Sequence, residues 1–346
     1  MNKNTLLFIM ILVTGGTGLV GSHLLYFLVN RGDKVRAIYR NKMRIEDVKK
    51  IFSFYNPDSL SLFENIEWVQ ADISDYFRLE EILKDIKHVY HSAAIVSFNP
   101  HESDIMLKTN TEGTANLMNA CLHNKVEKVC YVSSISSLGK QSDGELIDES
   151  VEWRAEYNRS AYAYSKFRAE MEVWRAAIEG IKTVIVNPSV IIGPVDWKRS
   201  TGRLFYSVKK GMPFYTGGAT GFVDVRDVAK AAVLLMEKDA INERFILNSE
   251  NLSFLEFYTM MAKAMNKMKP FLKTSKLLTE IGWRLNLVFC FFARKAPAIT
   301  SDTARTAQTV SLYSAKKFSE RFNYSFISVK EAVENTAKWF KNQGKR

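Results

Sequence analysis

From Phe8 to Thr14 the chain reads FIMILVT, a continuous apolar run with none of the alternation of a half-exposed strand. Such a run is expected where a strand is buried on both faces of a parallel sheet. Helix and strand periodicities then take turns. Leu19 to Asn30 reads as a helix and Lys34 to Tyr39 as a strand. Ile66 to Ala71 reads as a strand, Tyr76 to Lys84 as a helix and Lys87 to His91 as a strand. Asp104 to His123 is a long helix, Lys128 to Ser133 a strand, Ala161 to Ile178 a helix and Ile181 to Val186 a strand. Alternation of this kind predicts right-handed βαβ units, hence an α/β fold with a doubly wound parallel sheet.

The alternation loosens near residue 195, where Gly211, Pro213, Gly217, Gly218 and Gly221 mark turns. Residues 1–195 are expected to form a nucleotide-binding domain of the Rossmann type. Residues 196–346 are expected to form mainly a smaller C-terminal substrate-binding lobe, with segments of about 221–250 returning to the first domain. A terminal amphipathic helix is expected over 328–346. The lobe should cover the carboxyl edge of the sheet, where open α/β sheets bind ligands.

Composition narrows this picture in three respects. The 346 residues, 47% hydrophobic and 25% charged, show no repeat and no low-complexity tract, so the chain is globular. Cys121, Cys130 and Cys290 are scattered, which predicts neither a zinc site nor a disulfide framework. With the apolar start running straight into a glycine motif, a first strand is expected rather than a signal peptide, and a cytoplasmic location with it. The net charge is +11 and uneven: residues 263–295 hold eight Lys and Arg against the single acid Glu280. No nucleic-acid-reading motif accompanies that charge, so nucleic acid is not an expected partner. Within it, 271–293 (FLKTSKLLTEIGWRLNLVFCFFA) is too short and too interrupted to span a bilayer, which needs about 20 apolar residues. The segment either packs the lobe against the first domain or makes a peripheral membrane contact.

The candidate chemistry begins at Thr14-Gly15-Gly16-Thr17-Gly18-Leu19-Val20-Gly21. Gly15 permits a sharp turn, Gly18 a close approach to a pyrophosphate, and Gly21 close packing of the next helix on the sheet. The backbone from Thr17 through Leu19 and Val20 then presents helix-start N–H groups to phosphate. The second strand ends in Tyr39-Arg40-Asn41 without the carboxylate that would hold an NAD ribose. Arg40 is placed for a 2′-phosphate instead, so NADP is expected, with NAD as the alternative. Further along, Tyr162 and Lys166 stand at i and i+4 on one helix face. A neighbouring ammonium is expected to draw the phenol toward working pH as an acid/base.

The pieces TGGTGLVG, ADI at 71–73, HSAA at 91–94, NTEGTANL at 110–117, YVSSISSLG at 131–139, YAYSK at 162–166, NPSVIIGP at 187–194 and GFVDVRDVAKA at 221–231 occur in this order. As a set they resemble the extended short-chain dehydrogenase/reductases. VRAIYR at 35–40 and NPSVIIGP are most similar to the branch of dihydroflavonol 4-reductase and 3β-hydroxysteroid dehydrogenase relatives. The resemblance covers residues 8–250. It implies Tyr162 as catalytic acid/base, Lys166 as its partner and Ser134 as hydrogen-bond donor to the substrate oxygen, with Ser133 as the rival for that role. It implies that Asn110 holds a proton-relay water, that Asp72 and Ile73 flank an adenine, and that Ala93 and Ala94 line the cofactor channel. Pro188, Ser189 and Val190 would meet the nicotinamide. Sugar-nucleotide members often carry an arginine where this chain has Asn187. The resemblance therefore implies first an NAD(P)-dependent interconversion of ketone and secondary alcohol on a bulky small molecule. The alternative is a nucleotide-sugar epimerase or dehydratase with tightly held NAD, and a non-enzymatic binding role is a third reading. It also suggests a homodimer packed through helices including 161–178.

Overall fold

The computed structural model describes residues 9–97, 99–154, 160–197, 199–275, 277, 279–284 and 300–343. Its centre is a parallel sheet. In chain order the strands are β1 Met10–Thr14, β2 Lys34–Tyr39, β3 Ile66–Gln70, β4 Ile86–His91, β5 Lys128–Val132, β6 Leu146–Ile147, β7 Lys182–Pro188, β8 Val190–Ile192, β9 Phe214–Tyr215, β10 Ala219–Asp224, β11 Glu243–Leu247, β12 Glu250–Ser253, β13 Leu272–Lys273 and β14 Leu312–Tyr313. Seven of them form the main sheet in the order β11-β7-β5-β4-β1-β2-β3, every pair parallel. The order reverses at β1, which lies between β2 and β4. A crevice opens beyond the carboxyl ends of the strands at that point.

The continuous apolar run makes sense in this setting. Ile11 and Val13 point into one core with the Leu19–Asn30 and Val225–Glu237 helices. Leu12, between them, points into the other core with the Ser103–His123 and Ala161–Ile178 helices. A strand with a helical layer on each face favours apolar side chains on both sides.

The second lobe is built differently. β8, β10 and β12 form a small sheet of their own. Its apolar face packs with the Gly202–Lys209, Phe254–Ala264 and Val329–Gln343 helices around Phe205, Phe222, Phe257 and Phe340. The stretch 221–250 is thus divided. The Val225–Glu237 helix and β11 complete the main sheet, whereas β10 stays in the small one. The first domain likewise gives up Val190–Ile192 to the small sheet, pairing it with Phe222–Asp224.

Between residues 9 and 188 the boundaries of the expected elements lie within two residues of those observed, and the longest element not expected there is a helix. Ile45–Tyr55 is a helix that buries Val48, Ile51 and Phe52, an i, i+3, i+4 stripe between β2 and β3.

Candidate active site

Chain segments leaving the carboxyl ends of β1 to β5 and β7 line one cleft. At its floor Gly15 has φ +68°, and a Cβ there would stand 2.6 Å from the Ala93 backbone nitrogen. A Cβ on Gly21 would lie 2.2 Å from the Gly15 carbonyl oxygen, so this helix can seat on the turn only with glycine. The helix starts at Gly18 with no side chain capping it. Its first N–H groups are therefore available to an anion, and the turn fits a dinucleotide pyrophosphate. Thr17 and Leu19 are half-buried at this opening; Val20 is turned into the core.

The remaining cofactor candidates divide. Arg40 is exposed at the end of β2, with Nη1 3.5 Å from Oδ2 of Asp72. No acid ends β2, yet the segment after β3 brings one to the same place. Burial pulls the Asp72 carboxyl up, but hydrogen bonds from the Ser74 backbone and hydroxyl, together with Arg40, outweigh it and leave it below its ordinary value. Ile73 fills the space over Gly113, where a Cβ would come within 2.7 Å of its side chain. The Ala93 N–H donates to Thr14 Oγ1, at 3.3 Å, and Ala94 is exposed. Pro188 ends β7 and is buried, and Val190 is half-buried in β8. Ser189 is buried against Gly221, and its hydroxyl has no hydrogen-bond partner among the described residues.

Arg199, absent from the sequence reading, reaches into this region from the second lobe. Its Nη1 donates to the Thr17 carbonyl at 3.3 Å. It borders a cavity of about 230 Å³ that Thr17, Gly18, Ser22, Asp47 and Trp197 also line. Burial and the positive fields of Arg44 and Arg40 depress its pKa; Asp196 and Asp47 oppose them.

The Tyr–Lys helix begins where Ser160 caps it, its side chain accepting from the Ala163 N–H. Lys166 is 2% exposed. Its Nζ donates to Tyr131 Oη at 2.7 Å and to the Val132 carbonyl at 2.9 Å. Burial lowers its pKa to about 7, while the Glu170 carboxylate acts in the opposite direction. Tyr162 faces Ser134, whose hydrogen bond lowers the phenol pKa, but burial raises it more. This corrects the expectation of a phenol drawn down by Lys166. The ammonium is directed at Tyr131 and Val132, and desolvation of the Tyr162 ring prevails.

The two serines at the end of β5 separate cleanly. Ser134 is half-buried, faces Tyr162 and accepts from the Ser136 N–H at 3.1 Å. Ser133 points the other way and donates to Glu170 Oε2 at 2.7 Å. Asn110 makes three side-chain hydrogen bonds: its Oδ1 accepts from Ile95 N–H at 2.8 Å, and its Nδ2 donates to the Ile95 carbonyl at 2.9 Å and to Ser165 Oγ at 3.0 Å. It ties the loop after β4 to the residue beside Lys166. His91, also buried, lies with Nδ1 2.7 Å from Thr14 Oγ1 and Nε2 2.9 Å from Thr114 Oγ1, stacked on Tyr131.

Glu170 was not singled out from the sequence, although it follows Lys166 by four residues on the same face. It is 1% exposed. Its Oε2 accepts from Ser133, Ser137 and Asn187, at 2.7, 2.7 and 3.0 Å, and its Oε1 lies 3.4 Å from Arg244 Nη1. Asn187 also donates to the Ser134 carbonyl at 3.2 Å. The carboxylate thus holds the strand end that carries Ser134. Glu170→Gln keeps the shape but sets an amide against Arg244, and we expect a loss of about 2 kcal/mol, the scale of a hydrogen bond to a charged group. Urea midpoints of the two proteins measure it; an unchanged midpoint would show that the network contributes nothing to stability.

Among the described residues no cluster of His, Cys, Asp or Glu could hold a metal ion. Of segment 271–293, residues 276, 278 and 285–293 lie outside the described residues, and the LVFCFF run and Cys290 with them.

Residues 11–248 match the model of the NAD dependent epimerase/dehydratase family. A Synechocystis protein provisionally named dihydroflavonol 4-reductase is 30% identical over 345 residues, spanning 96% of this chain and 94% of its own length. The crystal structure of gox2253, also 30% identical, superposes with a TM-score of 0.81 over 97% of this chain and 98% of its own. A nucleoside-diphosphate-sugar epimerase from Pseudomonas aeruginosa, 20% identical, shares the fold with a TM-score of 0.75 over 97% of this chain and 98% of its own.

Proposed function

The chain belongs to the NAD dependent epimerase/dehydratase family, and from that premise we propose that it is an NADP-linked reductase of a ketone on a bulky small molecule. The observation that carries this reading is the Ser134–Tyr162 pair beside buried Lys166. It stands at the same sheet edge as the uncapped helix start at Gly18.

When bound, the nicotinamide cofactor supplies the hydride. Ser134 and Tyr162 act on the substrate oxygen. Ser134 donates a hydrogen bond to it, and the Tyr162 O–H delivers a proton as negative charge develops there. A phenol held above its ordinary pKa stays protonated at neutrality, which suits it to be the acid in the reducing direction. Lys166 uses two of its three donors on Tyr131 and Val132, which leaves one for a cofactor ribose hydroxyl.

Two features favour this over a nucleotide-sugar epimerase. Asn187 replaces the arginine common among sugar-nucleotide members, and its amide is committed to Glu170 and the Ser134 carbonyl. Arg40 stands at the end of β2, where a 2′-phosphate would lie, and Arg199 brings a second cation to the Thr17 carbonyl of the glycine turn. The name of the Synechocystis relative is in line with a reductase.

The test is cofactor oxidation by the purified protein with NADPH or NADH against panels of bulky ketones and nucleotide sugars. Net NADPH consumption with a ketone is expected. Tightly bound NAD released on denaturation, together with sugar-nucleotide interconversion without net cofactor change, would establish the epimerase instead.

A further inference from the structure

Single exposed apolar side chains are ordinary; a contiguous group of large ones is not. On the second lobe, Phe214, Met268, Phe271, Leu272, Leu277 and Ile281 are all exposed, Met268 by 74% and Leu277 by 70%. Backbone pairing and helical winding make neighbours of several of them. β13 pairs with β9, placing Leu272 beside Phe214 and Lys273 beside Tyr215. Phe271 and Leu272 both donate their N–H groups to the Pro213 carbonyl. The chain then winds helically, with Thr279 N–H bonding to the Ser275 carbonyl, so Leu277 and Ile281 stand one turn apart on one face. Gln308 fastens this turn to the lobe, donating to the Thr274 carbonyl and to Thr279 Oγ1 at 3.1 and 2.8 Å. The apolar side chains therefore project from an anchored scaffold.

The same stretch is rich in cations. Lys267, Lys269, Lys273 and Arg284 are exposed among these side chains. The one acid in the stretch, Glu280, is engaged by Arg284 Nη1 at 2.6 Å and by Trp283 Nε1 at 3.1 Å. Apolar side chains interspersed with exposed lysines, which make no ion pair among the described residues, match a surface that is greasy inside and negative outside, which is an anionic lipid leaflet. A protein partner would need an acidic rim around an apolar centre; the leaflet offers both everywhere. Among the described residues no helix is long and apolar enough to cross a membrane.

We propose that the face formed by Phe214, Met268, Phe271, Leu272, Leu277 and Ile281, with Lys267, Lys269 and Lys273 around it, docks the protein on anionic membrane surfaces. The inference stands on this face alone and does not depend on the ketone-reductase reading.

Co-sedimentation of the full chain with vesicles tests it. The vesicles are phosphatidylcholine alone and phosphatidylcholine with about one third phosphatidylglycerol, at low and at near-physiological salt. Wild type should pellet with the anionic vesicles, and less at the higher salt as screening sets in. Phe271→Ser combined with Leu277→Ser should weaken binding at least about tenfold, from the loss of buried apolar area. Both positions are exposed, so the urea midpoint should not move, and that measurement accompanies the assay. Lys267→Glu with Lys269→Glu should remove the preference for anionic over neutral vesicles. No pelleting at low salt overturns the proposal. Binding that responds to the charge changes but not to the apolar pair also overturns it, because that is adsorption without docking. If sedimentation velocity instead shows a dimer that the apolar pair dissolves, the face is an interface between copies and the proposal fails.

Discussion

On the proposed mechanism, Tyr162→Phe should lower turnover of any carbonyl substrate by about 10²–10⁴-fold, the usual contribution of a positioned general acid, and leave cofactor affinity nearly unchanged. The change deletes one oxygen and keeps the ring, so the packing at the start of the 161–178 helix survives. The lost oxygen is the one that faces Ser134. Lys166→Ala should behave differently, damaging turnover and NADPH affinity together. Its ammonium is fixed by Tyr131 and Val132 and has a remaining donor for the cofactor. It also titrates near neutrality, at about 7, so its charge is sensitive to anything that alters its burial. Steady-state rates give the first effect and fluorescence titration with NADPH the second. Near-normal turnover in Tyr162→Phe would remove the mechanism and leave the fold and family untouched.

What could be read from the chain was what is local in sequence. The glycine spacing of Gly15, Gly18 and Gly21 lies within one turn and one helix start, and its steric reason is visible in the contacts each Cβ would make. The Tyr162–Lys166 pair is set by helical spacing alone. The alternation of elements gave the parallel sheet because strands buried on both faces carry an unbroken apolar signature. The site contacts missed or misjudged depend on distant partners. Arg199 meets Thr17 across 182 positions, and nothing in its own surroundings announces that contact. The phenol shift of Tyr162 follows from burial, which periodicity does not quantify. Asp72 enters Arg40's surroundings only because β3 lies next to β2 in the sheet. Glu170 is a different case. It lies four residues past Lys166, and a carboxylate on the inward face of a helix is a signal in itself, since burying an unpaired charge is costly. Its four partners come from the end of β5 and its following turn, from β7 and from β11, so its role needed the assembled sheet.

Acid should unfold this protein early, and two histidines are the reason. His91 is buried between Thr14 and Thr114, and burial, with a smaller effect of Lys166, lowers its pKa to about 3. His23 is buried between Tyr55 and the Pro194 carbonyl, at 2.6 and 3.0 Å, and burial lowers its pKa to about 4. Both are neutral in the folded chain and both regain an ordinary pKa of about 6.5 on unfolding. Below that value the unfolded chain binds more protons than the folded one, so stability falls as pH falls. The contribution is whole above about pH 6.5 and is lost progressively toward the folded values near 4 and 3. At pH 5 each histidine has cost about 2 kcal/mol, from about 1.5 pH units at 1.36 kcal/mol per unit. Two together are a large part of the 5–15 kcal/mol that holds a typical domain. Urea midpoints measured from pH 7 to pH 4.5 should therefore drop steeply from about pH 6.5. In His91→Gln and His23→Asn the slope over that window should shrink by one proton each, even though both variants start less stable at pH 7. Variants that keep the wild-type slope would assign the acid transition to carboxylates instead. Both histidines tie together elements next to the glycine turn. His91 joins β1 to β4 beneath the Ala93 turn, and His23 joins the glycine-turn helix to the loop after β8. The cofactor site should therefore lose its shape in the same pH window, and NADPH affinity should decline alongside the midpoint.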